Sequence, residues 1–108
     1  MTFTRVHHVG LVTNDLDQAH HVLCDGFGLN IDEHRTPWPA GRRREIDGAT
    51  VVEVPIGETY YEVARPRAGD SQSEAAQLLA TTGGRGGMQY IAIASDNLAE
   101  DVTRLRAR

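Results

Sequence analysis

The chain has 108 residues, 11 basic against 15 acidic, a formal charge of −4, 40% hydrophobic residues and a single cysteine. That length supports one modest core in one domain, the acidic balance gives no general attraction to nucleic acid, and no apolar run approaches the roughly 20 residues of a membrane span. Cys24 alone excludes an internal disulfide and a cysteine-only zinc site, and an N-terminus without an apolar leader sets the expectation of a soluble, cytoplasmic protein.

Residues 5–13, RVHHVGLVT, alternate with period two, His8 and Gly10 on one face and His7 and Val9 on the other, and predict a strand. Asn14 or Asp15 then caps a helix carried by Leu16, Ala19, His20 and Leu23, which stops at Gly26 and Gly28. Residues 29–35 read as a short strand, followed by a loop with Pro37, Trp38, Pro39 and Gly41. The β-branched and aromatic runs 50–56 and 59–64 are joined by Gly57 and Glu58, the signal of a tight hairpin that Pro66 ends. Residues 67–74 are loop-like, 74–79 predict a short helix, and TTGGRGG is a flexible connection lacking the lysine of a phosphate loop. A strand begins again at MQYIAIASDN.

That last segment repeats the first. With an offset of 82, Ile91 falls on Val9, Ile93 on Leu11, Ser95 on Thr13 and Leu98 on Leu16. Both copies run on into a helix, the second through Glu100, Val102, Leu105 and Arg108. The chain therefore reads as a single α+β domain, 1–108. Residues 1–66 form a βαβββ module, 67–87 a linker with a short helix, and 88–108 the βα opening of a second module whose remaining strands are missing.

The ordered set VHHVGLVTNDLDQA, GATVVEVPIGETYYEVARP and GGMQYIAI resembles the vicinal oxygen chelate superfamily, the glyoxalase and bleomycin-resistance fold, and within it the methylmalonyl-CoA epimerases. The resemblance implies a curved mixed sheet whose cup holds a divalent metal (Co, Ni, Mn, Zn or Mg) on four strand residues, so that the metal stabilises an enolate while a carboxylate moves the α-proton. By that resemblance His8 is the first ligand and Glu62 the second. The third position carries Tyr90 where the family has histidine, with Gln89 before it, and a neutral phenol is a poor substitute for imidazole. The fourth ligand has no counterpart. Metal binding is therefore expected to be weak or absent.

The repeat points to the same place, since it makes His8 and Tyr90 equivalent. Glu62, Tyr90 and Glu53 are the candidate catalytic groups. Glu53 reads as an exposed strand residue, with an acid/base in the cup as the alternative. Tyr60 and Tyr90 offer hydroxyls to a carbonyl or oxyanion, Gln89 is a candidate ligand contact, and Arg43 in the run 42–44 is a candidate anion contact. His7 is expected on the opposite face, and His20, His21 and His34 on a helix surface and a loop. Three functions remain open: a small carbonyl or acyl-CoA binding protein with altered or lost activity, a metal-dependent epimerase or lyase completed by a second chain, and an interaction module using the open edge of strand 88–95. A homodimer fits all three.

Overall fold

A computed structural model describes residues 3–108. In it, β1 (Phe3–Val12) leads into α1 (Leu16–His20), which runs on as a wider π-helical turn over His21–Gly26. A short β2 (Arg42–Arg43), the hairpin strands β3 (Thr50–Ile56) and β4 (Thr59–Arg65), α2 (Glu74–Thr81), β5 (Gly87–Ser95) and α3 (Leu98–Arg106) follow. The five strands form one mixed sheet in the order β2-β3-β4-β1-β5, with β1 parallel to β4 and antiparallel to β5.

The α1 cap is Asp15, whose side chain accepts from the Gln18 N–H at 3.1 Å, and the α2 cap is Ser73, which accepts from Ala76 N–H at 3.1 Å. Each satisfies a helix-start donor that would otherwise be left open. Leu16 of α1 packs with Val52 and Val63 on one face of the sheet, joined by Leu23, Ile31 and Trp38. On the other face Ala49, Val51 and Ala64 form a smaller cluster. Each fully buried valine adds roughly 1.5–3 kcal/mol to stability.

Two expectations from the sequence are corrected. Residues 29–32 are irregular and 33–35 form a turn instead of a strand, because the Asp32 side chain accepts from the His34 and Arg35 N–H groups at 3.2 and 3.1 Å and bends the backbone away from extension. This segment still seals the outer edge of β3: Asp32 N–H donates to the Glu53 carbonyl at 2.8 Å, and the Glu53 N–H donates to the Thr36 hydroxyl at 3.0 Å. The short strand lies instead at β2, in what the sequence suggested was loop.

The second correction concerns alternation. The β1–β5 register slips at three places, leaving Thr4 and His7 of β1 and Gln89 of β5 as extra, unpaired residues. His7 and Gln89 are equivalent under the 82-residue repeat, so the same bulge occurs in both copies, and the repeat partners Val9 and Ile91 pair directly across the junction. A bulge puts consecutive side chains on one side. His7 is thus brought beside His8, with which it shares a 2.9 Å Nδ1–Nδ1 hydrogen bond, instead of pointing to the opposite face.

Candidate functional site

The register places Glu53 of β3 opposite Glu62 of β4, Glu62 opposite Gly10 of β1, and Gly10 opposite Tyr90 of β5. These four residues form one row across the cup. Gly10 is essential to it, because a Cβ there would collide with the Tyr90 ring. The missing side chain lets the ring lie across β1 and bring its hydroxyl to the carboxylate two strands away.

A continuous hydrogen-bonded chain results. Tyr90 donates to Glu62 Oε1 at 3.1 Å, and the same oxygen accepts from Arg44 Nη1 at 2.9 Å. Tyr90 lies 3.1 Å from His8 Nε2. A phenol has one proton, so with that proton on Glu62 the hydroxyl must accept from His8 Nε2–H, and His8 Nδ1 must accept from His7 Nδ1–H. Donor counting thus assigns both tautomers. Burial lowers the His8 pKa below its ordinary 6.5 against the opposing pull of Glu62, consistent with this neutral ring. The ring of Tyr60 stacks on His8 at 4.8 Å and closes that side.

Arg44 anchors the other end of the chain. Its Nε and Nη2 donate to the two Asp47 oxygens at 3.0 and 2.7 Å. The bonds to Asp47 and Glu62 raise the Arg44 pKa further and lower that of Asp47. Tyr90 is pushed up to about 12, first by burial and then by the Glu62 charge, so its proton stays in place at neutral pH.

Glu53 is only 2% exposed, contrary to the exposed position expected, because residues 32–36 cover it. Its carboxylate is matched by Arg35 at 3.4 Å and Arg42 at 3.3 Å. Gln89, brought to the cup side by its bulge, carries a buried amide oxygen that has no hydrogen-bond partner among the described residues. It lines a cleft of about 470 Å³ together with Arg44, Ile46, Gln72, Ser73 and Tyr90. Arg43 does not join this group. It is exposed and alternates away from Arg42 and Arg44. Sequence reasoning missed Arg44 and Asp47, although an Arg and an Asp-Gly three residues later, just before a strand, is the pattern of a salt-bridged turn.

The residues do not fit a divalent metal. Among the described residues no three His, Cys, Asp or Glu side chains converge as ligands. Glu62 Oε1 already faces a guanidinium, the Nε2 of His8 carries the proton a ligand nitrogen must lack, and Tyr90 is held neutral. The carboxylates Glu53, Glu62 and Asp47 are balanced by Arg35, Arg42 and Arg44, leaving no surplus negative charge for a cation.

The fold and this pseudo-symmetric cup define the class, and the sequence agrees. Residues 7–108 match the Glyoxalase/Bleomycin resistance protein/Dioxygenase superfamily, and the chain belongs to that family. Among solved structures it is similar to a Streptomyces coelicolor methylmalonyl-CoA epimerase variant in complex with 2-nitronate-propionyl-CoA, at 20% identity and TM-score 0.75, covering 98% of this chain and 70% of that one. The Mycobacterium tuberculosis methylmalonyl-CoA epimerase matches at 22% identity and TM-score 0.74, covering 98% and 65%. A hypothetical protein from Bacillus halodurans matches at 16% identity and TM-score 0.74, covering 95% and 67%. A comparison with curated proteins returns no match. No helix among the described residues is long and apolar enough to cross a membrane.

Proposed function

We propose that this chain binds a small carbonyl or acyl-CoA ligand in the cleft beside Tyr90, without a metal, and that any isomerase or lyase chemistry of the fold is altered or lost. The observation that carries this reading is the bond chain from Arg44 through Glu62 and Tyr90 to His8, in which His8, Glu62 and Tyr90 are the residues that the resemblance would assign to the metal. The acyl-CoA part follows the similar epimerase structures, one of which holds an acyl-CoA analogue.

The cleft has donors to offer such a ligand. A guanidinium has five N–H groups, and three of those on Arg44 are engaged by Asp47 and Glu62. Two remain for a carbonyl or carboxylate oxygen. The test is calorimetric titration of propionyl-CoA into wild type and Arg44→Lys, which keeps the charge beside Asp47 and Glu62 and removes the spare fork donors. Saturable binding weakened about 2- to 10-fold in the variant supports the reading. Absence of binding to wild type, or equal binding to both, rejects it.

A second reading has an observation of its own. Among the described residues no strand pairs with the outer edge of β5, and Met88, Ile91 and Ile93 on that strand are exposed. A second copy pairing there would make a homodimer and bring new side chains toward the cup, as a subunit-completed epimerase requires. The same edge would serve a non-enzymatic interaction module. Sedimentation velocity distinguishes these: a dimer that exchanges the α-proton of an acyl thioester with solvent supports the completed enzyme, and a monomer removes it.

A further inference from the structure

We infer a second binding element, a phosphate site on Arg43, Arg65 and Arg67, which takes the anionic arm of an extended ligand whose head lies beside Tyr90. It deepens the acyl-CoA reading above and rests on it for the head group, though not for the anion.

The site begins with register. Arg43 pairs with Thr50, and Thr50 pairs with Arg65, so the two arginines flank one threonine on the same face of the sheet. Arg67 follows just beyond β4. Arg43 and Arg67 approach each other over the turn at Gly48, whose φ of +73° favours glycine: a Cβ there would lie 3.5 Å from Arg67 Cδ and 3.7 Å from Arg43 Nε and Nη2, while Arg65 lines the adjoining cleft beside Arg67. The floor is kept open by the residue the turn requires.

Charge makes the second argument. Arg35 and Arg42 are matched by Glu53, Arg44 by Asp47 and Glu62, and Arg104 by Glu100. Among the described residues no carboxylate lies within ion-pair distance of Arg43, Arg65 or Arg67. In a chain of net charge −4, cations set close together with only the charge of Asp70 acting on Arg67 repel one another. An external anion removes that cost, and guanidinium forks suit phosphate oxygens. Asp70, at the rim, is turned to the start of α2, where its Oδ1 accepts from Gln72 and Ser73 N–H at 2.9 and 3.2 Å.

Continuity with the cup is the third. Arg65, Arg67, Gly48, Thr50 and Asn14 line a cleft of about 440 Å³. A shallower trough of about 310 Å³ joins it to the Tyr90 cleft, sharing Arg67 and Asp70 with one and Ile46, Asp47, Gln72 and Ser73 with the other. One elongated molecule with a neutral acyl head and a phosphorylated tail would follow this path.

Calorimetric titration of inorganic pyrophosphate, CoA and the phosphate-free propionyl-pantetheine into the full chain and its Arg65→Ala/Arg67→Ala variant tests the assignment. All the substituted side chains are exposed, and circular dichroism checks that the fold is kept. The expected result is salt-sensitive pyrophosphate binding that falls about ten-fold or more in the variant, CoA binding that falls with it, and propionyl-pantetheine binding that does not change. Pyrophosphate bound equally by both proteins, or not at all, overturns the site. CoA no tighter than its phosphate-free counterpart overturns the extended path. Pyrophosphate and CoA bound as expected with no propionyl-pantetheine bound supports the phosphate site while rejecting the acyl head of the proposed function.

Discussion

The two copies of the repeat, β1 with α1 and β5 with α3, share their local structure and differ in what covers them. In each, a hydroxyl at the strand end receives the N–H two residues on: Asp15 N–H donates to Thr13 at 3.0 Å, and Asn97 N–H donates to Ser95 at 3.0 Å. Each then enters a helix through an equivalent leucine. Leu16 is 4% exposed, but Leu98 is 65% exposed. The reason lies outside the repeat, since Val52 and Val63 of the β3–β4 hairpin receive Leu16, and α3 has no such hairpin beneath it among the described residues. Strand, turn and helix are local properties, whereas burial depends on partners distant in sequence.

The most demanding way to break this comparison is to truncate the equivalent leucines. Leu16→Ala should cost about 2–5 kcal/mol and Leu98→Ala less than about 0.5 kcal/mol, read from urea unfolding midpoints. Equal costs would mean that α3 is covered in solution. Next comes Glu62→Ala, which leaves Arg44 short of one partner and the Tyr90 hydroxyl with none for its proton. A loss of about 3 kcal/mol is expected from breaking so buried a pair.

Gly10 and Ala92 sharpen the contrast, being equivalent positions with different demands. Gly10→Ala drives a methyl into the Tyr90 ring and should cost about 1–3 kcal/mol, whereas Ala92→Gly should cost about 0.5–1 kcal/mol through backbone freedom alone. If Gly10→Ala is as mild as Ala92→Gly, the ring does not lie across β1. Tyr90→Phe, which removes only the hydroxyl, should cost about 1 kcal/mol.

The smallest effects are those of pH. Because the folded-state pKa of His8 lies below its ordinary 6.5, the unfolded chain binds more protons in that window. The stability held by neutral His8 is therefore complete above 6.5 and declines as pH falls through the lowered value. Tyr90 acts at the other end: its contribution is complete below 10 and is lost as pH rises toward about 12. Thermal melts across pH should show the acid shoulder shrink in His8→Ala and the alkaline one in Tyr90→Phe.

Much of this was legible in the sequence. The repeat, the hairpin and the α+β class came from periodicity and turn residues, and the equivalence of His8 and Tyr90 placed both in one cup. The bulges at His7 and Gln89 were not legible, since an extra residue does not alter the apolar pattern around it. Nor was the burial of Glu53, whose neighbours Val51 and Pro55 suit an open strand face as well as a covered one. Arg44 was hidden for another reason: its partner Glu62 lies 18 residues away, and only the fold brings a turn before β3 over a strand after it.

The central claim is that the Tyr90-centred bond chain already engages the groups of His8 and Glu62 that a metal would need. Its most direct test is elemental analysis of protein purified without chelators, with Co²⁺ then titrated into wild type and His8→Ala. The account predicts no stoichiometric metal and the same weak, non-saturating response from both proteins. Near-stoichiometric metal in wild type that is lost in His8→Ala would contradict it.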